Sequence, residues 1–482
     1  MSRQNLFLIL IAFFYYFFFI NKGIVLSDEG YYFHIADRML QGQVPYKDFF
    51  LQFSPGYFYL LTLFLKIFGE QIIVGRILTL TTCLFIIFLT LKISDKLNFS
   101  KKYQKIIAFL SVISFGFPLI NNVSILAWVS VLISLLLIYS FYVWLENQKQ
   151  YKYLFLIGVS LFLSFFVKQN LGIYFLIVSN IAIFLASKSQ LIQKFKNISI
   201  VNASFLIPTF LWISLFFLRD INLLREFIDF NSRYALIYKL SYPPLTFLFN
   251  PLGIFKLIPY YLPIVFAIIV VLTIVKKGNW KRSFFPAVAL IGFFGTVLPT
   301  SDLLHVYPFY GIILVSGLIF FSKTKYYKFF FSFTVISILL GFYLTIFREY
   351  YRYQPSYSLQ NTNLNLPRTK NITIDKPLAN DLTFVYQFVQ TKTSKNDYIF
   401  SYPFSPMLYF ILERGNPSRY SIYYPGYLTN TQEKEIIAQI KNKKVKYIIT
   451  RSDYKFNTLL SKFIQSQSLV YSTGQFNIFE VN

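Results

Sequence analysis

The sequence predicts an α-helical polytopic membrane protein with a small α/β domain at its C-terminal end. Of the 482 residues, 55% are hydrophobic and only 14% are charged, whereas an ordinary soluble domain has about 25% charged residues. Long apolar segments recur through residue 347, and a mixed composition follows them. This composition excludes a soluble enzyme, a disordered tail and a nucleic-acid binder. Cys83 is the only cysteine, which excludes a disulfide scaffold.

Spanning helices are predicted wherever about 20 predominantly apolar residues follow one another. Eleven segments meet this description approximately, although several are short. They are residues 5–21, 72–91, 106–121, 124–145, 153–168, 171–187, 198–218, 257–275, 283–299, 305–322 and 329–347.

The formal net charge of +26 predicts how these spans are oriented. Six loops at one set of helix ends carry 18 Lys and Arg residues against Asp95 and Glu146. Short loops rich in Lys and Arg stay in the cytoplasm. All six share one side only if the chain turns back at 168–170, so 153–168 and 171–187 are two helices. This count places the N-terminus inside and the C-terminal domain outside the cytoplasmic membrane.

One further apolar segment, and the first of the eleven, need separate treatment. Residues 56–68 are too few to span, and they predict an interfacial or re-entrant helix; the alternative is an irregular part of the second span. The first apolar segment has a basic start but no small-residue cleavage site, so it is expected to remain as an anchor.

The C-terminal region has a different pattern. Residues 348–482 are predicted to form a small extracytoplasmic α/β domain, after a transmembrane domain of residues 1–347 that includes an outer loop at 22–71. Short β-branched and aromatic runs predict strands, and longer amphipathic runs predict helices. The strands are expected at 398–400, 445–449 and 476–481, and the helices at 405–414 and 431–442.

Several kinds of active site are absent from the sequence. One Cys and two His residues cannot build a conventional zinc site. No phosphate-binding glycine loop, dinucleotide motif or serine nucleophile elbow is present. The chemistry is therefore expected from carboxylates and basic residues on the outer face.

The strongest candidates are Asp28 and Glu29, adjacent carboxylates that follow the first span. Ser27 is expected to cap a short helix that runs to about Leu40 and ends at Gly42. Acidic residues at a helix N-terminus are favourable there without any catalytic role. A carboxylate pair at the membrane surface is also well placed to act on a lipid-linked substrate.

The first 92 residues carry a pattern of short motifs. They are Asp28-Glu29-Gly30, Tyr32, Ala36, Gly42, Pro45-Tyr46, Asp48, Ser54-Pro55-Gly56, Phe68-Gly69 and Arg76. With these motifs, residues 5 to 92 resemble the protein O-mannosyltransferase and lipid A aminoarabinose transferase group of GT-C-fold glycosyltransferases, and the remainder resembles them only in layout. The resemblance implies inverting transfer of a sugar from a polyprenyl-phosphate donor, with Asp28 as general base.

Elementary chemistry agrees with these roles. A lipid phosphate needs cations rather than a general acid as it departs, and the acceptor hydroxyl needs a base within hydrogen-bond reach. Lys168 and Arg76 are the candidates for the donor phosphate, although each could instead extend its charge to the headgroups. Glu29 is expected to orient the acceptor or to hold a basic neighbour.

Weaker candidates for substrate binding are His305, Tyr32 and Asp48. Asp302, just before His305, could equally cap a helix. The outer loop 219–256 has mixed charge, which is typical of a solvated surface, and Tyr234, Tyr238 and Tyr242 could line a sugar cleft. Phe53 and Ser54 precede Pro55, where many relatives have a charged residue. No metal is therefore assigned, although a divalent cation at Asp28 and Glu29 remains open.

The sequence thus predicts a multi-pass glycosyltransferase of the cell envelope. Its partners would be a polyprenyl-phosphate-sugar donor, a glycan, lipid or protein acceptor, and the lipid bilayer. A transporter or flippase of lipid-linked glycans and a non-catalytic envelope assembly protein are the alternatives. A polymerase of oligosaccharide units would use the same chemistry.

Overall fold

In a computed structural model, the protein is described at residues 2–99, 101–117, 125–218, 220–237, 249, 253–277, 280–297, 303–347, 355–453 and 457–482. Fourteen helices are found in the described part before residue 348. They are α1 Arg3–Phe19, α2 Asp28–Leu40, α3 Gly56–Phe68, α4 Ile72–Lys96, α5 Lys102–Ser114, α6 Leu126–Glu146, α7 Tyr151–Val167, α8 Gln169–Ala186, α9 Leu191–Phe217, α10 Ile221–Ile237, α11 Gly253–Lys277, α12 Trp280–Val297, α13 Leu303–Phe321 and α14 Tyr327–Phe347.

The predicted polytopic helical fold is confirmed, because a helix occupies at least part of each of the eleven predicted spans. By length and composition, six helices within the described residues could cross a membrane: α4, α6, α8, α9, α11 and α14. Helices α1, α3 and α7, and α13 from His305 onward, are apolar but shorter. The helix break between the predicted fifth and sixth spans falls at Lys168, as the charge pattern predicts.

Polar contacts between loops show which helix ends lie together at one end of the bundle. Near the N-terminus, Asn5 Nδ2 donates to Asp95 Oδ2 at 3.3 Å, and Lys105 Nζ lies 2.7 Å from Asp95 Oδ1. Lys96 pairs with Glu146 at 2.6 Å. The N-terminus and the lysine-rich loops after α4 and α6 therefore share one end, as a positive-inside arrangement requires.

The C-terminal region forms the small α/β unit that the pattern predicts. Its elements are β1 Thr362–Asn363, β2 Thr373–Ile374, α15 Lys376–Lys392, β3 Ile399–Tyr402, α16 Met407–Leu412, α17 Asn430–Asn442, β4 Tyr447–Arg451, α18 Leu459–Gln465, β5 Ser468–Ser472 and β6 Phe476–Glu480. A four-stranded sheet has the order β3-β4-β6-β5, in which β3 and β4 are parallel and the other pairs are antiparallel. A separate antiparallel pair, β1 and β2, precedes it.

Helices α10, α15 and α18 and strands β1, β2 and β5 are not among the elements predicted from the sequence. Helix α10 lies inside the segment interpreted as a mixed-charge loop, yet Leu223, Phe227 and Phe230 recur at helical spacing. Helix α15 is preceded by Asp375, a residue type that favours helix starts. Its side chain accepts a hydrogen bond from the Leu378 N–H.

Helix α2 lies between α3 and the C-terminal unit, because it packs on both α3 and α16. Helix α3 has 13 residues, as predicted, and its N-terminus packs on the end of α7, where a Cβ on Gly56 would lie 2.5 Å from the Phe166 carbonyl oxygen. Helix α2 is buried along most of its length. The first loop and the C-terminal unit are consequently on the same side of the bundle.

Candidate active site

Glu29 and Arg76 form a fully buried ion pair between α2 and α4. Arg76 Nε donates to Glu29 Oε1 and Arg76 Nη2 to Glu29 Oε2, both at 3.0 Å, and both side chains have no exposed surface. The remaining guanidinium N–H groups donate to the carbonyl oxygens of Ile20, Lys22 and Gly23 at 2.7 to 3.2 Å. All five donors of Arg76 are thus used within the protein.

This pair revises two expectations about the site. Of the two roles expected for Glu29, the geometry fits the holding of a basic neighbour. Arg76 has no guanidinium N–H left for a lipid phosphate, so the geometry does not support the expected phosphate contact. The pair instead ties α4 to the chain segment that leaves α1.

Gly30 has a packing role in the same motif. A Cβ at Gly30 would lie 2.4 Å from the backbone nitrogen of Met407, the first residue of α16. Next to it, the Met407 N–H donates to the Leu26 carbonyl oxygen at 3.1 Å. The glycine therefore permits the close approach of α2 and the C-terminal unit.

Asp28 is the carboxylate of the motif that keeps exposed surface. It is the first residue of α2 and is partly exposed, where negative charge is favourable. Ser27 occupies the cap position, but its side chain makes no capping bond. Its hydroxyl instead donates to Asp28 Oδ2 at 3.1 Å, which corrects the expected Ser27 cap. Gly42, with φ of +83°, follows the end of α2 as predicted.

The α7–α8 junction lies against the first loop. Lys168, which is buried, is the one residue between the two helices, and its N–H donates to the Ser164 carbonyl at 2.8 Å. The following Gln169 accepts from the Ser54 N–H at 3.1 Å, and its amide nitrogen donates to the Gln52 carbonyl at 3.3 Å. Lys168 is therefore held beside the Ser54-Pro55 segment of the loop.

The weaker candidates have mainly structural surroundings. The Tyr32 ring is buried against Tyr57 and Phe58, at centroid distances of 5.2 and 5.6 Å. Asp48 is exposed and accepts from the Val44 N–H at 2.7 Å, as in a tight turn. His305 is half-buried near the start of α13. Asp302, Tyr238 and Tyr242 lie outside the described residues, as does the Tyr234 side chain.

Helix α10 contributes polar contacts that the sequence analysis did not identify. Glu226 accepts from the Tyr420 hydroxyl at 2.8 Å and pairs with Arg419 at 2.9 Å. Phe230 packs on Phe50 with ring centroids 4.8 Å apart. These contacts bring α10, the first loop and residues 419–420 together on the side of the bundle that carries Lys168.

At the other end of α2, Asp37 lies in a group of three carboxylates around Arg368. Arg368 Nη1 donates to Asp37 Oδ1 at 2.8 Å, Arg368 Nε lies 3.3 Å from Glu413, and Arg368 Nη2 contacts Glu70. Burial raises the pKa of Asp37 to about 6, because the nearby guanidinium only partly offsets the loss of solvation.

Two more charged or titratable residues of α2 are buried against the C-terminal unit. Arg38 donates to the Ser418 carbonyl at 2.9 Å and lies over the Phe49 ring at 4.8 Å; burial lowers its pKa to about 10, which leaves it protonated at neutral pH. Burial and the charge of Arg38 lower the pKa of His34 well below its usual range. Within the described residues, no group of three or more His, Cys, Asp and Glu residues could hold a metal ion.

Comparison with known proteins identifies the fold. No family model and no curated protein matches the chain. Among solved structures, it is similar to ArnT from Cupriavidus metallidurans bound to undecaprenyl phosphate, with a TM-score of 0.56. The chain has a GT-C fold. The apo structure of the same ArnT gives a TM-score of 0.54; both matches cover 98% of this chain and 97% of ArnT at 11% identity.

Proposed function

We propose that this protein is an inverting glycosyltransferase that moves a monosaccharide from a polyprenyl-phosphate donor to a hydroxyl acceptor outside the cytoplasmic membrane. Asp28 would take the proton of the acceptor hydroxyl as its oxygen bonds to the anomeric carbon of the sugar. The bond from that carbon to the phosphate oxygen breaks in the same step, and the polyprenyl phosphate leaves with its negative charge.

One observation carries this proposal: the two adjacent carboxylates have different surroundings. Glu29 is enclosed with Arg76, whereas Asp28 keeps exposed surface at the N-terminus of α2. A general base must reach the substrate proton, so Asp28 suits that role better than Glu29. ArnT, whose fold this chain shares, binds undecaprenyl phosphate, which supports a lipid phosphate as the donor.

Lys168 is the proposed contact for the donor phosphate. It lies between the ends of two apolar helices, beside the first loop. A lipid packed along these helices would place its phosphate at the height of Lys168. Arg76 and Glu29 act as positioning residues, since their pair holds the segment that leads into α2. Tyr32, Asp48 and His305 stay predicted contacts for the substrate.

The orientation of the chain is part of the proposal. The lysine-rich loops lie together with the N-terminus, and the first loop lies with the C-terminal unit. The first group would face the cytoplasm and the second would lie outside. The division into domains 1–347 and 348–482 stays a prediction.

Transfer of label from undecaprenyl-phosphate sugars tests the function. Membranes containing the protein would be supplied with a panel of radiolabelled donors, and the productive pair would be studied with purified protein. We expect Asp28→Asn to lower kcat by about 10²- to 10⁴-fold, the contribution typical of a general base. Asp229→Asn, at an exposed position of α10, serves as the control and is expected to keep its activity.

Lys168→Gln tests the phosphate contact separately. Loss of one charge-assisted hydrogen bond is expected to weaken binding of undecaprenyl phosphate by about 10- to 100-fold. Lys66→Gln, at an exposed position of α3, is the control. Turnover of Asp28→Asn near that of the wild type would reject the general base, and absence of transfer with the whole panel would favour a flippase or an assembly protein.

A further inference from the structure

A small cleft lies between the first loop, α10 and residues 420–428. Its walls include two neutral polar side chains among aromatic rings, and within the described residues none that lines it is charged. We call it the Gln52 cleft; Tyr31, Phe50, Gln52, Phe230, Tyr420 and Ser421 are among the residues that line it.

Two buried polar atoms of this cleft have no hydrogen-bond partner among the described residues. They are Oε1 of Gln52 and Oγ of Ser421, on side chains that are 7% and 5% exposed. Buried polar groups are nearly always hydrogen-bonded, because an unmade bond leaves the loss of hydration uncompensated. Two such atoms in one cleft indicate that a group from outside the chain supplies their hydrogen-bond partners.

The two tyrosine hydroxyls of the lining residues are already used, and that of Tyr31 is hydrogen-bonded to the Gln52 backbone. The Tyr420 hydroxyl donates to Glu226 and accepts from the Gln432 amide nitrogen at 3.1 Å. Its ring lies 5.8 Å from that of Phe50. The cleft therefore presents apolar ring surface and two neutral groups, which suits neither a phosphate nor a cation.

The cleft adjoins the proposed phosphate contact through Gln169. The Gln169 amide donates to the Gln52 carbonyl and accepts from the Ser54 N–H, and Gln169 directly follows Lys168. A substrate whose phosphate contacts Lys168 would therefore lie near the Gln52 cleft.

Resting on the proposed function, we propose that the Gln52 cleft binds one hydroxyl group of a sugar. The cavity has room for about one water-sized group, and therefore for one hydroxyl. The Gln52 amide oxygen would accept its proton, and the Ser421 hydroxyl can donate to its oxygen. The hydroxyl could belong to the donor sugar or to a glycan acceptor, and the experiment below distinguishes these two sources.

The test compares a bare lipid with a sugar-bearing lipid. Purified wild type, Gln52→Met and Ser421→Ala would be titrated with undecaprenyl phosphate and with undecaprenyl-phosphate mannose, glucose and 4-amino-4-deoxyarabinose. Gln439→Met and Ser405→Ala are matched controls, because each also removes a partnerless amide or hydroxyl oxygen, but away from the cleft.

If the hydroxyl belongs to the donor sugar, each cleft variant should lower the affinity for the sugar-bearing lipid that binds most tightly to the wild type. The expected loss is about 3- to 10-fold, the effect of one neutral hydrogen bond. Affinity for bare undecaprenyl phosphate should not change. If the hydroxyl belongs to the acceptor, donor affinity is kept and the KM for the acceptor rises by a similar factor in the transfer assay.

Unchanged sugar-lipid affinity and unchanged acceptor KM in both cleft variants would overturn the proposal and leave the cleft to a bound water. An equal loss for bare and sugar-bearing lipid would also overturn it, because that pattern reports a disturbed phosphate site. Failure of the proposed function is separate: the wild type itself would then transfer no sugar from any donor of the panel.

Discussion

The two ends of α2 are each held by an arginine, but with opposite electrostatic balance. At the N-terminal end, Arg76 faces the single carboxylate Glu29, and neither side chain is exposed. At the other end, Arg368 faces Asp37, Glu70 and Glu413, of which Glu70 and Glu413 are 44% and 30% exposed. The first group is neutral and enclosed, whereas the second carries excess negative charge near water.

The two ends therefore differ in kind: the N-terminal end of α2 is held by a buried ion pair, and the other end by a contact that can titrate. Losing one partner of a buried ion pair leaves the other charge buried and uncompensated. Where three carboxylates share one guanidinium, burial and like charge favour a protonated carboxyl. Because α2 carries Asp28, both ends contribute to the position of the proposed base.

The largest expected effect is at the neutral end. Glu29→Gln leaves the Arg76 charge buried without a carboxylate and is expected to destabilise the protein by about 3–5 kcal/mol. Thermal unfolding in detergent would measure it. Asp229→Asn, which removes an exposed ion pair with Arg233, is the control and should change stability by less than about 1 kcal/mol.

A double variant tests whether the effect comes from the unpaired charge. Glu29→Gln combined with Arg76→Met removes both charges and should recover part of the loss, because apolar replacement of a buried pair is often tolerated. If the double variant is as unstable as the sum of the single variants, the pair is not the cause.

The contrast at Glu29 also marks how far the sequence could predict this site. Asp28 and Glu29 are adjacent carboxylates that the sequence does not distinguish. Only the fold brings Arg76, 47 residues later, into contact with Glu29. Helix α2 itself was predictable, because its start and its Gly42 ending are local signals. Gln52 and Ser421 could not be identified, since a lone neutral polar residue has no pattern until its surroundings are known.

Fold elements show the same division. The spans follow from apolar length, and β3, β4 and β6 follow from short β-branched and aromatic runs. Helix α10 was missed because its charges resembled a solvated loop, while its apolar face rests on Tyr46 and Phe50, which are distant in sequence. Local patterns thus predicted the elements, but not the contacts that assemble the site.

The next largest effect tests the packing at the neutral end of α2. Gly30→Ala would place a Cβ 2.4 Å from the Met407 backbone, so α2 and α16 must separate. We expect a loss of about 3 kcal/mol in unfolding free energy, at the upper end for overpacking. Gly42→Ala is the contrasting variant, with no atom within 4 Å but a positive φ, and should cost about 1 kcal/mol. Equal losses would contradict a packing cause.

The acidic end should respond to pH. The pKa of Asp37 is about 6 in the folded protein against 3.8 for an ordinary Asp, so the folded state binds a proton more readily than the unfolded state. Its contribution is therefore present below about pH 4 and is lost as pH rises towards 6, by at most about 2–3 kcal/mol.

Comparison with Asp37→Asn isolates that contribution. The difference in unfolding free energy between wild type and variant should decline from pH 4 to 6 and stay level above it. Asp381→Asn, in the C-terminal unit, is the control at another carboxylate. A difference that rises with pH in this window would show that the Arg368 contact outweighs burial.

The smallest effect concerns the excess charge itself. Glu413→Gln removes one of the two carboxylates that face Asp37 beside Arg368, and because Glu413 is partly exposed its removal should change stability by less than about 1 kcal/mol. The charge of Glu413 raises the pKa of Asp37, so the pH window of the previous comparison should move to lower pH. Glu435→Gln on α17 should leave the window in place. If the window stays fixed in Glu413→Gln, burial and the charge of Glu70 account for the raised pKa of Asp37, and Glu413 has no influence at this end of α2.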